Sequence, residues 1–150
     1  MLLSKTCIYG LRASALLASK SRSDYITIRE LSDELDISFH FLTKVLQKLT
    51  KSELLESYKG PNGGVKLART ASDIKFMDVV LSIDGDSLLH ECALGLPGCG
   101  ILEPCPLHGQ WSGLKQNIVT MMKDITLKDL ANNYNSTHLT FDSFDKGNQV

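Results

Sequence analysis

The sequence predicts a mainly α fold with a small β-hairpin and one long helix downstream. Three observations carry that prediction. Apolar residues recur at helical spacing through most of residues 1–83. A glycine-rich turn, GPNGG, lies between two short alternating runs within residues 54–69. Trp111, Leu114, Ile118, Met121 and Ile125 follow one another at spacings of 3, 4, 3 and 4, the seam of a helix lying along a partner helix.

The elements follow in order. A first helix is expected over 4–20; its apolar residues are interrupted by Ser, Lys and Arg at helical spacing, unlike a secretory leader. Thr27 and Glu30 form a T-x-x-E capping box, and Ile28, Leu31 and Leu35 give the second helix its apolar stripe. Residues 36–37 make a short turn, and Ser38 is the expected N-cap of a third helix running to residue 51. There Leu42, Val45, Leu46 and Leu49 face inward. The opposite face carries His40, Thr43, Lys44, Gln47, Lys48 and Lys51.

Two helices joined by a tight turn, the second with a polar and basic outer face, form a helix-turn-helix pattern. The hairpin that follows adds Lys59 and Lys66 beside its tip and Arg69 after it, as a basic wing would. Its glycines would let the tip backbone approach phosphate or enter the minor groove. A winged helix-turn-helix over 1–83 is therefore expected, ending in a fourth helix at 74–83. His40, Thr43, Lys44 and Gln47 are the candidates for base edges or nearby phosphates. Ser38, Lys48 and Lys51 suit phosphates. Lys59, Pro61, Asn62, Gly63 and Gly64 suit the minor groove or the backbone beside it.

Charge supports two unlike halves. Residues 1–83 hold 12 Lys and Arg against 9 Asp and Glu; residues 84–150 hold 4 against 8. The 150 residues contain no stretch near the roughly 18 apolar residues of a membrane span, so no membrane partner and a cytoplasmic location are expected. No nucleophile elbow, phosphate-binding loop or paired-carboxylate arrangement is present, so an enzyme is not expected.

Residues 84–109 are rich in Gly and Pro and read as a loop. Cys92, Cys99, Cys105 and His108 lie in it with the spacing C-x6-C-x5-C-x2-H. Thiolates are soft ligands that suit iron–sulfur clusters or zinc, and a loop can bring them together. Zinc sites usually contain closer Cys pairs than these. A metal-free thiol–disulfide sensor is a further reading. So is a cluster-bearing electron carrier or scaffold, which would need neither wing nor basic face. Cys7 reads as a small buried residue of the first helix. Residues 110–134 read as a dimerisation helix with a short helical turn at 126–133, and 135–150 as a disordered tail.

The segment ISFHFLTKVLQKLTKSELLESYKGPNGGVKLAR, the three-cysteine loop and Trp111 opening a long helix together resemble one bacterial family. It is the winged-helix regulator family that includes the iron–sulfur cluster regulator IscR, the nitric-oxide sensor NsrR and the cysteine-metabolism regulator CymR. The resemblance spans residues 2–133. It implies a DNA-binding repressor that acts as a homodimer on palindromic double-stranded DNA. It also implies that Cys92, Cys99 and Cys105 ligate an iron–sulfur cluster, 2Fe–2S or 4Fe–4S, with His108 matching the histidine ligand of the iron–sulfur cluster regulator. Some relatives draw the fourth ligand from the first helix of the other subunit, near position 8, where this chain has Ile8. The iron–sulfur cluster regulator also carries an acidic residue where this chain has Thr43.

Overall fold

The computed structural model describes residues 2–20, 24–96 and 105–134, the side chains of residues 133 and 134 aside. Cys99 and residues 135–150 lie outside the described residues. The fold is mainly helical, with one two-stranded antiparallel hairpin.

Helix α1 (Lys5–Ser19) is the spine. Ser4 caps it by accepting the Cys7 N–H at 3.0 Å. Its buried face is made of small residues as well as leucines, Gly10, Ala13, Ser14 and Ala15 among them. Small side chains let neighbouring helices come close. Gly10 shows how close. A Cβ there would overlap Cδ1 of Ile83 and touch Cγ1 of Val45 at 3.4 Å.

Helix α2 (Ile28–Leu35) starts at Thr27, whose hydroxyl accepts the Glu30 N–H at 3.1 Å. The Glu30 carboxylate meets Lys20 at 3.2 Å instead of closing the other half of the expected capping box. Lys20 also pairs with Glu34 at 2.5 Å, and that hydrogen bond holds its ammonium pKa above the ordinary value despite burial. Asp36 takes the left-handed conformation (φ 52°), which ends α2 and turns the chain. The turn is locked by Ser32, whose Oγ donates to the Ile37 carbonyl at 2.6 Å.

Helix α3 (Phe39–Lys51) buries Leu42, Val45, Leu46 and Leu49. Ser38 holds the N-cap position, but its side chain makes no capping hydrogen bond. Strands β1 (Leu55–Tyr58) and β2 (Gly64–Leu67) pair with Leu55 opposite Leu67 and Tyr58 opposite Gly64. Ile26 pairs with Val65 through two backbone bonds of 2.9 and 2.8 Å, so the wing is tied to the residue before α2.

After a 3-10 turn (Ala71–Asp73) comes α4 (Phe76–Asp84). It begins two residues later than expected because Ile74 and Lys75 are used elsewhere. The Leu127 N–H donates to Ile74, the Phe76 N–H donates to Ile125, and both bonds are 2.9 Å. The 84–109 segment is not all loop. It holds a four-residue helix, α5 (Ser87–His90), and its last residues open α6 (His108–Asp124). The 110–134 segment is likewise two helices. Ile125 ends α6, and α7 (Leu127–Tyr134) turns back onto α1 and the 3-10 turn. Thr126 and Asp129 form a reciprocal cap there, with bonds of 2.8 and 3.1 Å. The hydrogen bonds from Thr126 lower the Asp129 carboxyl pKa below its usual range.

Most of these elements contribute to one core. Leu16, Leu31, Leu42, Leu46, Leu49, Ile74, Val80, Met122 and Leu127 are all fully buried in it. Each such side chain contributes about 2 kcal/mol through burial. No helix among the described residues is long and apolar enough to cross a membrane.

Candidate nucleic-acid interface and cysteine segment

The buried stripe of α3 fixes what its other face presents. His40, Lys44, Gln47, Lys48 and Lys51 are exposed, with Ser38 exposed just before them. Thr43 differs. It is half-buried, and its hydroxyl donates to the Phe39 carbonyl at 2.7 Å, so only its oxygen lone pairs remain for a partner.

Between α3 and the wing lies an open cleft of about 610 Å³. Phe39, Gln47 and Lys51 line one side, and Tyr58, Lys59 and the hairpin glycines line the other. Arg29 of α2 also lines the cleft, its guanidinium 5.2 Å from the centre of the Phe39 ring. Arg29 and Phe39 were not legible as site residues. Neither belongs to the polar and basic face of α3 that the helical spacing marks out. Yet Phe39 is more than one-third exposed and also meets His40 edge-on at 5.7 Å.

Lys59, Pro61 and Asn62 are exposed on the wing. Gly63 and Gly64 are half-buried, and the shape of the hairpin itself needs them. A Cβ on Gly63 would overlap the Tyr58 carbonyl, and one on Gly64 would overlap the backbone of Ile26 and Thr27. Lys66 is occupied at the wing base, 3.5 Å from Glu56 and 4.8 Å from the centre of the Tyr25 ring.

The described ends of the cysteine segment meet the first turns of α6. The Cys105 carbonyl accepts the His108 N–H at 2.9 Å, so these two residues share one turn. His108 is therefore the first residue of α6 rather than a loop residue. On the other side, Trp111 Nε1 donates to the Glu91 carbonyl at 3.2 Å, and Lys115 Nζ donates to the carbonyls of Leu89 and Glu91, each at 3.2 Å. The peptide before Cys92 is thus held against α6 within two turns of His108. Cys92 and Cys105 are half-buried thiols, not disulfides. Among the described residues no three His, Cys, Asp or Glu side chains are arranged to hold a metal ion. The donor types, three thiolates and an imidazole, nevertheless match the chemistry of an iron–sulfur ligand set.

Cys7 is fully buried, as the sequence suggests, but it is more than filler. Asp84, the last residue of α4, receives the Ser4 N–H at 2.8 Å and the Ser4 hydroxyl, and the Cys7 thiol lies beside it. Burial first, and then the Asp84 carboxylate, push the Cys7 thiol up to about 12.

The five seam residues do not act alike. Leu114 and Met121 are about half exposed, while Ile118 rests on the core. Trp111 holds the cysteine segment, and Ile125 caps α6. Met122, outside the seam, is the buried residue of the helix.

Comparison with known proteins agrees with this architecture. The regulator NsrR of Oceanobacillus iheyensis is 33% identical over 134 residues, covering 89% of this chain and 91% of that protein. The regulator IscR of Photorhabdus laumondii is 29% identical over 125 residues, covering 83% and 76%. Among solved structures, the global cysteine regulator CymR of B. subtilis matches with a TM-score of 0.73 at 22% identity, covering 87% of this chain and 95% of that one. IscR of T. potens matches with a TM-score of 0.71 at 24% identity, covering 87% and 86%. These two likenesses speak for the winged-helix fold alone. The model of the Rrf2 family, described as an iron-dependent transcriptional regulator, matches residues 3–133. With the helix-turn-helix, the hairpin wing and the long α6 all inside that match, the chain belongs to the Rrf2 family of transcriptional regulators.

Proposed function

We propose that this regulator binds a palindromic double-stranded operator as a homodimer and represses transcription in response to redox state, nitric oxide or iron–sulfur supply, sensed through a cluster. Cys92, Cys99 and Cys105 would hold the cluster, with His108 as fourth ligand. The observation that carries the reading is the anchoring of the described ligands. The peptide before Cys92 is bonded to Trp111 and Lys115, while Cys105 and His108 share the turn that opens the same helix. A family described as iron-dependent supports it. When bound, such a cluster supplies redox and nitric-oxide chemistry; the protein supplies thiolates and holds their backbone against α6.

DNA recognition falls to His40, Thr43, Lys44 and Gln47, with Ser38, Lys48 and Lys51 on phosphates and Lys59, Pro61 and Asn62 on the wing. Gly63 and Gly64 serve by shaping the wing. Leu114 and Met121, exposed on α6, face the second protomer in this reading.

The test is iron, sulfide and zinc analysis with an absorption spectrum on anaerobically purified protein, beside a Cys92→Ala, Cys99→Ala, Cys105→Ala variant. Near-equal iron and sulfide, lost in the variant, is the expected result. A colourless wild type that takes up no iron on reconstitution overturns the cluster; bound zinc would mean a structural site, and no metal would mean thiol–disulfide sensing. DNA affinity should fall steeply with salt, and Lys59→Glu should reduce that slope by about 1 without changing iron content. A salt-independent affinity would instead fit an electron carrier.

A further inference from the structure

The geometry points to Lys115 as a positioning residue that fixes Cys92 for its role in the cysteine segment. This rests on Cys92 being a cluster ligand, and it identifies what holds that ligand in place. Two independent observations carry it. In the structure, one ammonium donates to two carbonyls, those of Leu89 and Glu91, each at 3.2 Å. Those carbonyls flank the end of α5, and Glu91 directly precedes Cys92. A cation at the C-terminal end of a helix satisfies carbonyls that have no partner within the helix. In the sequence, Lys115 is the single Lys or Arg between Lys75 and Lys123, a stretch that holds Asp78, Asp84, Asp86, Glu91 and Glu103. The one positive side chain of that acidic stretch is thus spent on the backbone beside the first cysteine.

Neighbouring contacts suit this role. Leu88 and Leu89 rest against the core, so α5 is held from below while Lys115 and Trp111 hold its end from α6. Lys115 is half-buried. The ammonium, not the stem, makes the contact.

Peptide-resolved alkylation by iodoacetamide on reduced, metal-free, full-length protein tests this directly, with Cys7 and Cys105 read in the same digest. Lys115→Met keeps the stem and removes the charge. It should raise the Cys92 rate by at least about tenfold, since it removes both charge-assisted hydrogen bonds and losing one alone is worth about that factor in a local opening, while leaving Cys105 and Cys7 near their wild-type rates. Lys115→Arg should restore the wild-type rate, and Trp111→Phe should give a smaller rise. After reconstitution, Lys115→Met should lose iron to a chelator faster than wild type. An unchanged Cys92 rate in Lys115→Met overturns the inference. So does a rise shared by all three thiols, which would mark general loosening. If wild type takes up no iron, the cluster reading fails, and the alkylation comparison still decides whether Lys115 positions Cys92.

Discussion

Gly64→Ala offers a sharp test of how the wing is built. The new methyl would run into the backbone of Ile26 and Thr27, which cannot yield as a flexible side chain could. Relief requires β2 and Ile26 to separate. That sacrifices the paired Ile26–Val65 bonds of 2.9 and 2.8 Å. Two buried backbone bonds at about 1 kcal/mol each, with part of the overpacking cost, give a loss of about 2–4 kcal/mol. For a chain of this size that lowers the thermal midpoint by about 10 °C. Urea unfolding followed by circular dichroism reads it directly. The wing should also come away from α2, so DNA affinity should fall while iron loading stays at the wild-type level. A destabilisation under about 0.5 kcal/mol, the size of an ordinary surface change, would refute the claim that Gly64 is required by the Ile26 contact.

Three further predictions follow from the same structure. An unfolded Cys7 releases its proton near 9.0, whereas the folded chain holds it to about 12. The folded state therefore binds the extra proton: this contribution to stability is complete below pH 9.0 and is lost as pH rises towards 12, by at most about 1.4 kcal/mol per unit. Urea midpoints across that window should fall more steeply for wild type than for Cys7→Ala; parallel curves would remove Cys7 from the account. Gly113 lies inside α6, and a Cβ there meets nothing within 4 Å. Gly113→Ala should thus stabilise by about 0.5–1 kcal/mol in thermal unfolding, and a loss would show that another chain covers the position. Arg29→Ala should weaken DNA binding about equally for all sequences and lower the salt slope by about 1, with the unfolding midpoint unchanged; a wild-type slope would take Arg29 out of the interface.

Features set by local spacing were legible in the sequence. The apolar stripe of α3 fixes its outer face by geometry alone, so the exposure of His40, Lys44, Gln47 and Lys48 follows from Leu42, Val45, Leu46 and Leu49. Contacts distant in sequence were not legible. Gly64 read as an adaptation for approaching DNA because nothing in the hairpin announces its backbone contact with Ile26, almost forty positions earlier. His108 read as loop because Pro106 and Gly109 bracket it. In the structure Pro106 lies in the turn that starts α6, and Gly109 is inside the helix. The seam from Trp111 to Ile125 has the right period, but period alone cannot say which neighbour each residue meets. Ile118 and Trp111 found partners within the chain, leaving Leu114 and Met121 open. Helix α5 spans four residues, too few to show any period.

The missing side chain at Gly10 brings helices α1, α3 and α4 within one layer of atoms. Ile83 fills the notch, and Val45 on the inner side of α3 borders it. One residue beyond Ile83 stands Asp84, held by Ser4, and the cysteine segment begins there. Helices α1, α3 and the end of α4 therefore meet around a single isoleucine. Ile83 rests directly on the α1 main chain at Gly10, so a shift of α4 towards α1 meets backbone rather than a side chain that could swing aside.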